Sequence, residues 1–343
     1  MTHPASHELR YAHDSPSYTR FQGSDELERR AAVLVERLAA CDICPHECGV
    51  DRTMDELGFC RSPRRPLVAS ACGHRGEEPP ISGRRGSGTI FFANCNLRCM
   101  YCQNCEISQH PEYFADQPGG TEQLANTILK LQDDVGCHNI NFVSPSHFVP
   151  QIVESLCIAV PRGLRLPLVY NTNAYDSVET LRLLEGIVDV YLPDIKYSSE
   201  RVAAELSGAD DYVSASRQAI LEMYRQVGSD LLVDEEGTVR RGLVIRHLVL
   251  PGGLAGSVQS LKWLSSEVSN RITLSIMAQY YPAHRAGEIP LLSRRVTRQE
   301  YASVVQAAHD LGFEHIWAQQ SGAPVHYRPD FSAEGHPFER DMG

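Results

Sequence analysis

Thr89-Ile90-Phe91-Phe92 runs directly into Ala93-Asn94-Cys95-Asn96-Leu97-Arg98-Cys99-Met100-Tyr101-Cys102, and this stretch decides the fold. Its first four residues are β-branched or aromatic and read as a short buried strand. Its remainder is a loop with C-x3-C-x2-C spacing. Working downstream, residues 140–143, 168–170, 188–195, 243–250 and 272–277 repeat the short apolar strand pattern. Helical spacing lies between them: Leu124, Ile128, Leu131 and Val135 after Thr121, a helix near 149–159, and one through Leu181 and Leu184. Further helices carry Ile220, Leu221 and Tyr224, then Leu261 and Trp263. Thr297-Arg298-Gln299-Glu300 is a capping-box pattern that opens a last helix ending at Gly312. Six strands alternating with helices predict an α/β fold whose parallel sheet curls into an open or closed barrel. Chemistry in such barrels sits on the loops after the strands, and the cysteine loop is one of them.

The whole chain has 343 residues, 42% hydrophobic and 22% charged, a soluble globular composition that excludes wholesale disorder. Acidic residues outnumber basic ones 43 to 32, for a formal charge of −11. That sign is wrong for a protein that works by neutralising phosphates, so nucleic acid is not the expected partner. No apolar run reaches the roughly 20 residues of a bilayer span, and Met1-Thr2-His3-Pro4 has no signal-peptide pattern. A cytoplasmic protein with no membrane association is expected.

Upstream of the quoted stretch, residues 1–23 show no periodicity and read as a flexible arm. Ser24-Asp25-Glu26 offers an N-cap and acidic first turn, and Leu27, Ala31, Leu34 and Leu38 continue a helix to about residue 40. Residues 41–85 hold five cysteines among Pro and Gly, with too little apolar periodicity for long elements. The expected organisation is therefore an arm over 1–23, a helix with a small Cys-rich lobe over 24–85, the barrel over 86–320 and a tail over 321–343.

Nine of the eleven cysteines fall between Cys41 and Cys105. In a chain without a secretory signal, such clustering reads as metal or redox chemistry rather than disulfides. Cys95, Cys99 and Cys102 suit a [4Fe–4S] cluster with three protein ligands and one open iron. Cys105 as a fourth ligand would close that cluster; a zinc knuckle or inert thiols are the blander alternatives.

These residues resemble the radical S-adenosylmethionine (SAM) superfamily, whose loop is C-x3-C-x-aromatic-C, with Tyr101 as the aromatic here. The resemblance continues through 95–104, 141–147, 170–175, 189–197, 246–251 and 277–280. Together these stretches are similar to the branch related to the pyruvate formate-lyase-activating enzyme, the PflX-like proteins. The resemblance implies a partial (β/α)6 barrel, TIM-barrel-like, and an oxidoreductase. Such an enzyme cleaves SAM reductively to methionine and a 5′-deoxyadenosyl radical, which abstracts hydrogen from a protein glycine or another substrate. It implies a flavodoxin- or ferredoxin-type electron donor and a protein, peptide or small-molecule substrate. Carried over residue by residue, Cys95, Cys99 and Cys102 hold the cluster and Tyr101 lies near the adenine. Ser144, Ser146 and His147 stand where relatives have a Gly-Gly-Glu-Pro segment for the methionine amino group. Asn171, Thr172 and Asn173 match the motif after the third strand, Asp194 and Lys196 the D-x-K motif after the fourth, and His247 the R-H-x-V-x-P motif of the fifth. His147 and His247 also read as structural histidines, and Asp194–Lys196 as a surface ion pair.

Cys41, Cys44, Cys48 and Cys60 lie ahead of the barrel. Four thiolates with one C-x2-C pair suit either zinc or a second iron–sulfur cluster, with Cys72 or His74 as replacement ligands. A zinc-organised scaffold on a catalytically inactive barrel is the competing function. Ligand spacing generates the first prediction: Cys99→Ala loses the barrel cluster's iron, whereas Cys105→Ala retains it, as read by iron analysis of anaerobically prepared protein. Equal loss in both variants would mean a closed four-cysteine centre.

Overall fold

The computed structural model describes residues 15–114, 119–319 and 331. Among these residues nine strands form one sheet: β1 Val68–His74, β2 Ser87–Phe92, β3 Ile140–Val143, β4 Leu168–Thr172, β5 Val190–Pro193, β6 Leu232–Val233, β7 Val239–Leu248, β8 Thr273–Met277 and β9 His315–Ala318. Strands β2, β3, β4, β5, β7, β8 and β9 pair in that order and all in parallel. β1 and β6 add antiparallel to β2 and β7. The result is an open, partial α/β barrel. Its six expected strands are all present, and a seventh, β9, extends the parallel run.

The helices are α1 Glu26–Glu36, α2 Pro79–Ser82, α3 Cys105–Ser108, α4 Thr121–Asp133, α5 Val149–Ala159, α6 Val178–Leu183, α7 Glu200–Ser207, α8 Tyr212–Val227, α9 Ser257–Trp263 and α10 Arg298–Asp310. Parallel strands need crossovers, and the helices supply them while burying one apolar face each. On α4, Leu124, Ile128 and Leu131 are buried, but Val135 lies beyond the helix end and is exposed. The capping box at Thr297 and Glu300 forms as its sequence dictates. At α1, Asp25 rather than Ser24 occupies the N-cap position, and its side chain makes no capping bond. Among the described residues, no helix is long and apolar enough to cross a membrane.

The N-terminal segment departs from the expected arm as far as it is described. Residues 15–23 pack against the body: Tyr18 is fully buried and its hydroxyl donates to Leu166 O at 2.9 Å. The buried Asp189 carboxylate accepts from Ser17 N at 2.7 Å and Leu168 N at 2.9 Å, tying this turn to the start of β4. The earlier residues of the arm, and the expected tail apart from Phe331, lie outside the described residues.

The Cys-rich segment also holds more regular structure than its composition suggests. β1 has no apolar periodicity of its own, and its order comes from pairing with β2, from Val68↔Phe92 to His74↔Ser87. The connection after β1 then passes under the barrel at the strands' N-terminal ends. There Ile81 packs among Val169, Val190, Leu192, Val239 and Val244, and Asn139 Nδ2 donates to Ile81 O at 2.8 Å. The returning strand needs Gly88, since a Cβ there would lie 2.7 Å from Asn139 O. Lobe and barrel therefore share one sheet.

Burial sets the stability prediction. Leu34 on α1 is fully buried, while Leu221 on α8 is 40% exposed. Leu34→Ala should cost about 2–5 kcal/mol of unfolding free energy, and Leu221→Ala within about 0.5 kcal/mol of zero, measured by urea denaturation. Equal effects would contradict this packing.

Candidate active site

The exits of the first three parallel strands share an unusual backbone. Asn94, Ser144 and Ala174 follow β2, β3 and β4 with φ of 70°, 53° and 64°. Non-glycine residues held in the left-handed region cost about 1–3 kcal/mol each and cluster at functional sites. Each turns its chain sharply: Asn94 N donates to Ile107 O at 2.7 Å, and Ser144 N to Asn171 O at 2.9 Å. The cysteine loop is held from outside by α7, with Arg98 N donating to Ser207 O and Met100 N to Leu206 O, both at 2.8 Å.

Within that loop every sulfur has a polar partner. Leu97 N and Asn173 Nδ2 both approach Cys95 Sγ at 3.4 Å. Ser207 Oγ donates to Cys99 Sγ at 3.1 Å, and Cys102 Sγ lies 3.2 Å from Ser108 Oγ. Tyr101 OH and Tyr197 OH are 2.6 Å apart, and Tyr197 OH is 2.6 Å from Ser207 Oγ, so a buried hydroxyl chain leads to Cys99. Burial, then the neighbouring Cys99, pushes the Cys95 thiol up and the Cys102 thiol up to about 12. A bound cation is what converts such a set to thiolates.

The three cysteines face a cavity of about 240 Å3 bounded by the C-terminal ends of β2, β3, β4, β5, β7 and β8. Its interior charges form one network. Lys196 Nζ donates to Asp194 Oδ2 at 2.8 Å, and Arg246 Nε stands 3.4 Å from Asp194 Oδ1. Arg246 Nη1 donates to Glu77 Oε2 at 3.0 Å, and Glu78 Oε1 is 3.7 Å from Arg246 Nε. Burial works to raise the Asp194 carboxyl, but Lys196 and then Arg246 outweigh it and hold it below the ordinary range. Burial likewise works against the Lys196 ammonium, and Asp194 with Cys99 overcomes it, raising its pKa. Glu78 goes the other way: burial lifts its carboxyl and Arg246 offsets only part. Asp194 Oδ1 is buried with Arg246 Nε as its ion-pair neighbour and makes no hydrogen bond.

The structure sorts the sequence-expected site residues into two groups. Tyr101, Ser144, Asn171, Thr172, Asn173, Asp194 and Lys196 all line the cavity with Cys95, Cys99 and Cys102. Thr172 is partly committed, since its hydroxyl donates to the buried Asp176 at 2.6 Å. Asn173 is a positioning residue for the loop, with its amide also on Asn96 Oδ1 at 2.8 Å. Ser146, His147 and His247 do not line the cavity. Ser146 is buried against Thr172, 3.2 Å between hydroxyls. His247 is satisfied at both nitrogens, by Ile195 O at 2.7 Å and Ser257 Oγ at 2.8 Å. His147 turns away to donate from Nε2 to Ala93 O at 3.0 Å, and burial pushes its pKa down to about 3.

Glu77 is the residue that sequence reasoning missed. It reaches the barrel floor from the connection under the sheet, accepting from Asn141 Nδ2 at 3.0 Å and Asn171 Nδ2 at 3.4 Å. The adjacent acids Glu77 and Glu78, between Gly76 and Pro79, were the available signal.

No protein-family model matches the chain. The chain is 32% identical over 286 residues to uncharacterized protein MJ0674 of Methanocaldococcus jannaschii, covering 81% of this chain and 76% of that one. It is 26% identical over 191 residues to uncharacterized protein MJ0808 of the same organism, covering 50% and 54%. Among solved structures, a radical SAM methyltransferase from Sphaerobacter thermophilus aligns at a TM-score of 0.45 and 11% identity, over 69% of this chain and 68% of that one. HydG, a maturase of the [FeFe]-hydrogenase, aligns at 0.43 and 13%, over 90% and 68%.

The charge network has a measurable asymmetry. Asp194→Asn leaves Lys196 without its carboxylate while Arg246 keeps Glu77 and Glu78, and should cost about 3–5 kcal/mol. Lys196→Met leaves Asp194 paired with Arg246 and should cost less. Chemical denaturation of both variants checks the order, and equal losses would contradict the shared-carboxylate geometry.

Proposed function

The chain belongs to the family of the Methanocaldococcus jannaschii protein MJ0674, and from the cavity this family member builds we propose that it is a radical SAM enzyme. The observation that carries the reading is three thiols on one strand exit facing a single cavity that contains both signs of charge. Cys95, Cys99 and Cys102 are the ligands of a [4Fe–4S] cluster, with one iron left to SAM. When bound, the cluster and SAM supply reductive cleavage to methionine and a 5′-deoxyadenosyl radical. The polar partners of each sulfur fit anionic thiolates, because N–H and O–H groups stabilise negative sulfur.

The remaining groups suit a ligand that carries an amine, a carboxylate and a ribose. Lys196 is the point-charge partner for a carboxylate. Asp194 Oδ1 is the acceptor for an ammonium, in place of the acidic segment that Ser144 and its neighbours lack. Asn171 offers an amide to hydroxyls, and Tyr101 gives the adenine an aromatic wall. Glu77 and Arg246 at the floor orient the substrate, a protein glycine or a small molecule, and a flavodoxin- or ferredoxin-type protein delivers the electron. The strained exits at Asn94, Ser144 and Ala174 keep these groups in place before any ligand arrives.

Anaerobic incubation with SAM and a one-electron reductant tests the proposal. The wild type should form 5′-deoxyadenosine and Cys99→Ala should not. Lys196→Ala should keep its iron but lose a charge-assisted contact of about 1.5–3 kcal/mol, roughly tenfold to a hundredfold in SAM affinity. A colourless protein that holds zinc alone and leaves SAM intact would overturn the reading in favour of a scaffold.

A further inference from the structure

Ahead of the barrel, Cys41, Cys44, Cys48 and Cys60 converge on a second, separate cavity, whose wall also includes Arg52 and His147. Tight turns bring them there: Cys41 N donates to Val50 O at 2.9 Å and Gly49 N to Cys41 O at 3.0 Å. Phe59 N approaches Cys48 Sγ at 3.4 Å. A Cβ on Gly58 would sit 2.8 Å from that sulfur, so the loop carrying Cys60 presses directly on Cys48. Yet among the described residues no three Cys, His, Asp or Glu side chains are gathered closely enough to hold a single ion. Tetrahedral zinc, with bonds of about 2.3 Å, needs sulfurs about 3.8 Å apart. An iron–sulfur cluster takes one thiolate per iron and accepts a wider set.

A buried charge at the cavity wall asks for a counter-charge. Arg52 is 1% exposed, and its guanidinium donates to three neutral carbonyls, Ser62 O at 3.0 Å, Pro63 O at 3.0 Å and His147 O at 2.8 Å, and to one sulfur. That sulfur is Cys41 Sγ, 3.9 Å from Nη1, and Cys48 also feels the Arg52 charge. A buried cation without a counter-charge is strongly unfavourable. His147 donates from Nε2 to Ala93 O, so Nδ1 carries a lone pair, and that atom is buried without a partner. A cluster bound by four thiolates supplies the negative sulfur that Arg52 lacks, and with each iron held by a cysteine His147 lines the wall without being a ligand.

We propose that Cys41, Cys44, Cys48 and Cys60 hold a second iron–sulfur cluster of the [4Fe–4S] type, with Arg52 as its buried counter-cation. The site adjoins the barrel loop: His46, between two of the ligands, donates from Nε2 to Asn96 O at 2.9 Å, one residue from Cys95.

The test uses the full chain with Cys95, Cys99 and Cys102 all changed to Ala, reconstituted anaerobically with iron and sulfide, so its outcome is independent of the radical SAM reading. This variant should keep about four irons per chain with the visible absorption of a cluster, and adding Cys44→Ala and Cys48→Ala should remove them. About one zinc per chain in place of iron, or a metal-free chain that is folded by circular dichroism, would overturn the proposal. In the same background Arg52→Lys should keep the cluster's midpoint potential near its original value. Arg52→Met should move it to a more negative value, because the reduced cluster loses its neighbouring cation. An unchanged potential in a folded, iron-loaded Arg52→Met protein would overturn the counter-cation role.

Discussion

Parallel pairing is the constraint on which everything else depends. Because β2, β3, β4, β5, β7 and β8 all run the same way, their C-terminal ends emerge on one side, and their exit loops have to meet there. Residues distant in sequence, from Cys95 to Gln279, thereby border one cavity. The other end of the barrel is closed by the connection after β1, whose Ile81 is fully buried among inward-facing valines. One end is sealed with apolar side chains, and the other carries polar groups and sulfur.

Between those ends the cavity's charges compensate one another internally. Asp194 serves Lys196 and Arg246 at once, and Arg246 in turn serves Glu77 and Glu78. Buried ions persist only when paired in this way. The arrangement keeps charge of both signs inside the barrel without letting it collapse into one neutral pair. The same logic, with sulfur in place of carboxylate, governs the front lobe, where Arg52 donates to Cys41 Sγ and to three carbonyls. Both cysteine sets rest on backbone amides as well: Leu97 N on Cys95 and Phe59 N on Cys48.

Local pattern made the fold largely legible. Short apolar strands, amphipathic helices and the Thr297 capping box are written in neighbouring residues, so their identities survive without knowledge of the tertiary structure. Element order then left parallel pairing as the topology. β1 was not legible, because its residues have no periodicity and its order comes from β2. The packed turn at Ser17–Phe21 was hidden for a similar reason: it depends on Asp189, 172 residues away from Ser17.

For the candidate site, the sequence by itself determined the chemical types and their chain positions: three cysteines at the first strand exit, amides at the end of β4, and Asp194 with Lys196 after β5. Only the tertiary structure decided which side chains enter the cavity. The left-handed turn at Ser144 brings that residue to the cavity wall and leaves Ser146 and His147 buried elsewhere. His247 finds both its partners within the protein, and Glu77 arrives from beneath the sheet by way of β1. Side-chain direction follows from backbone torsion and long-range pairing, and neither is encoded in the spacing of a motif.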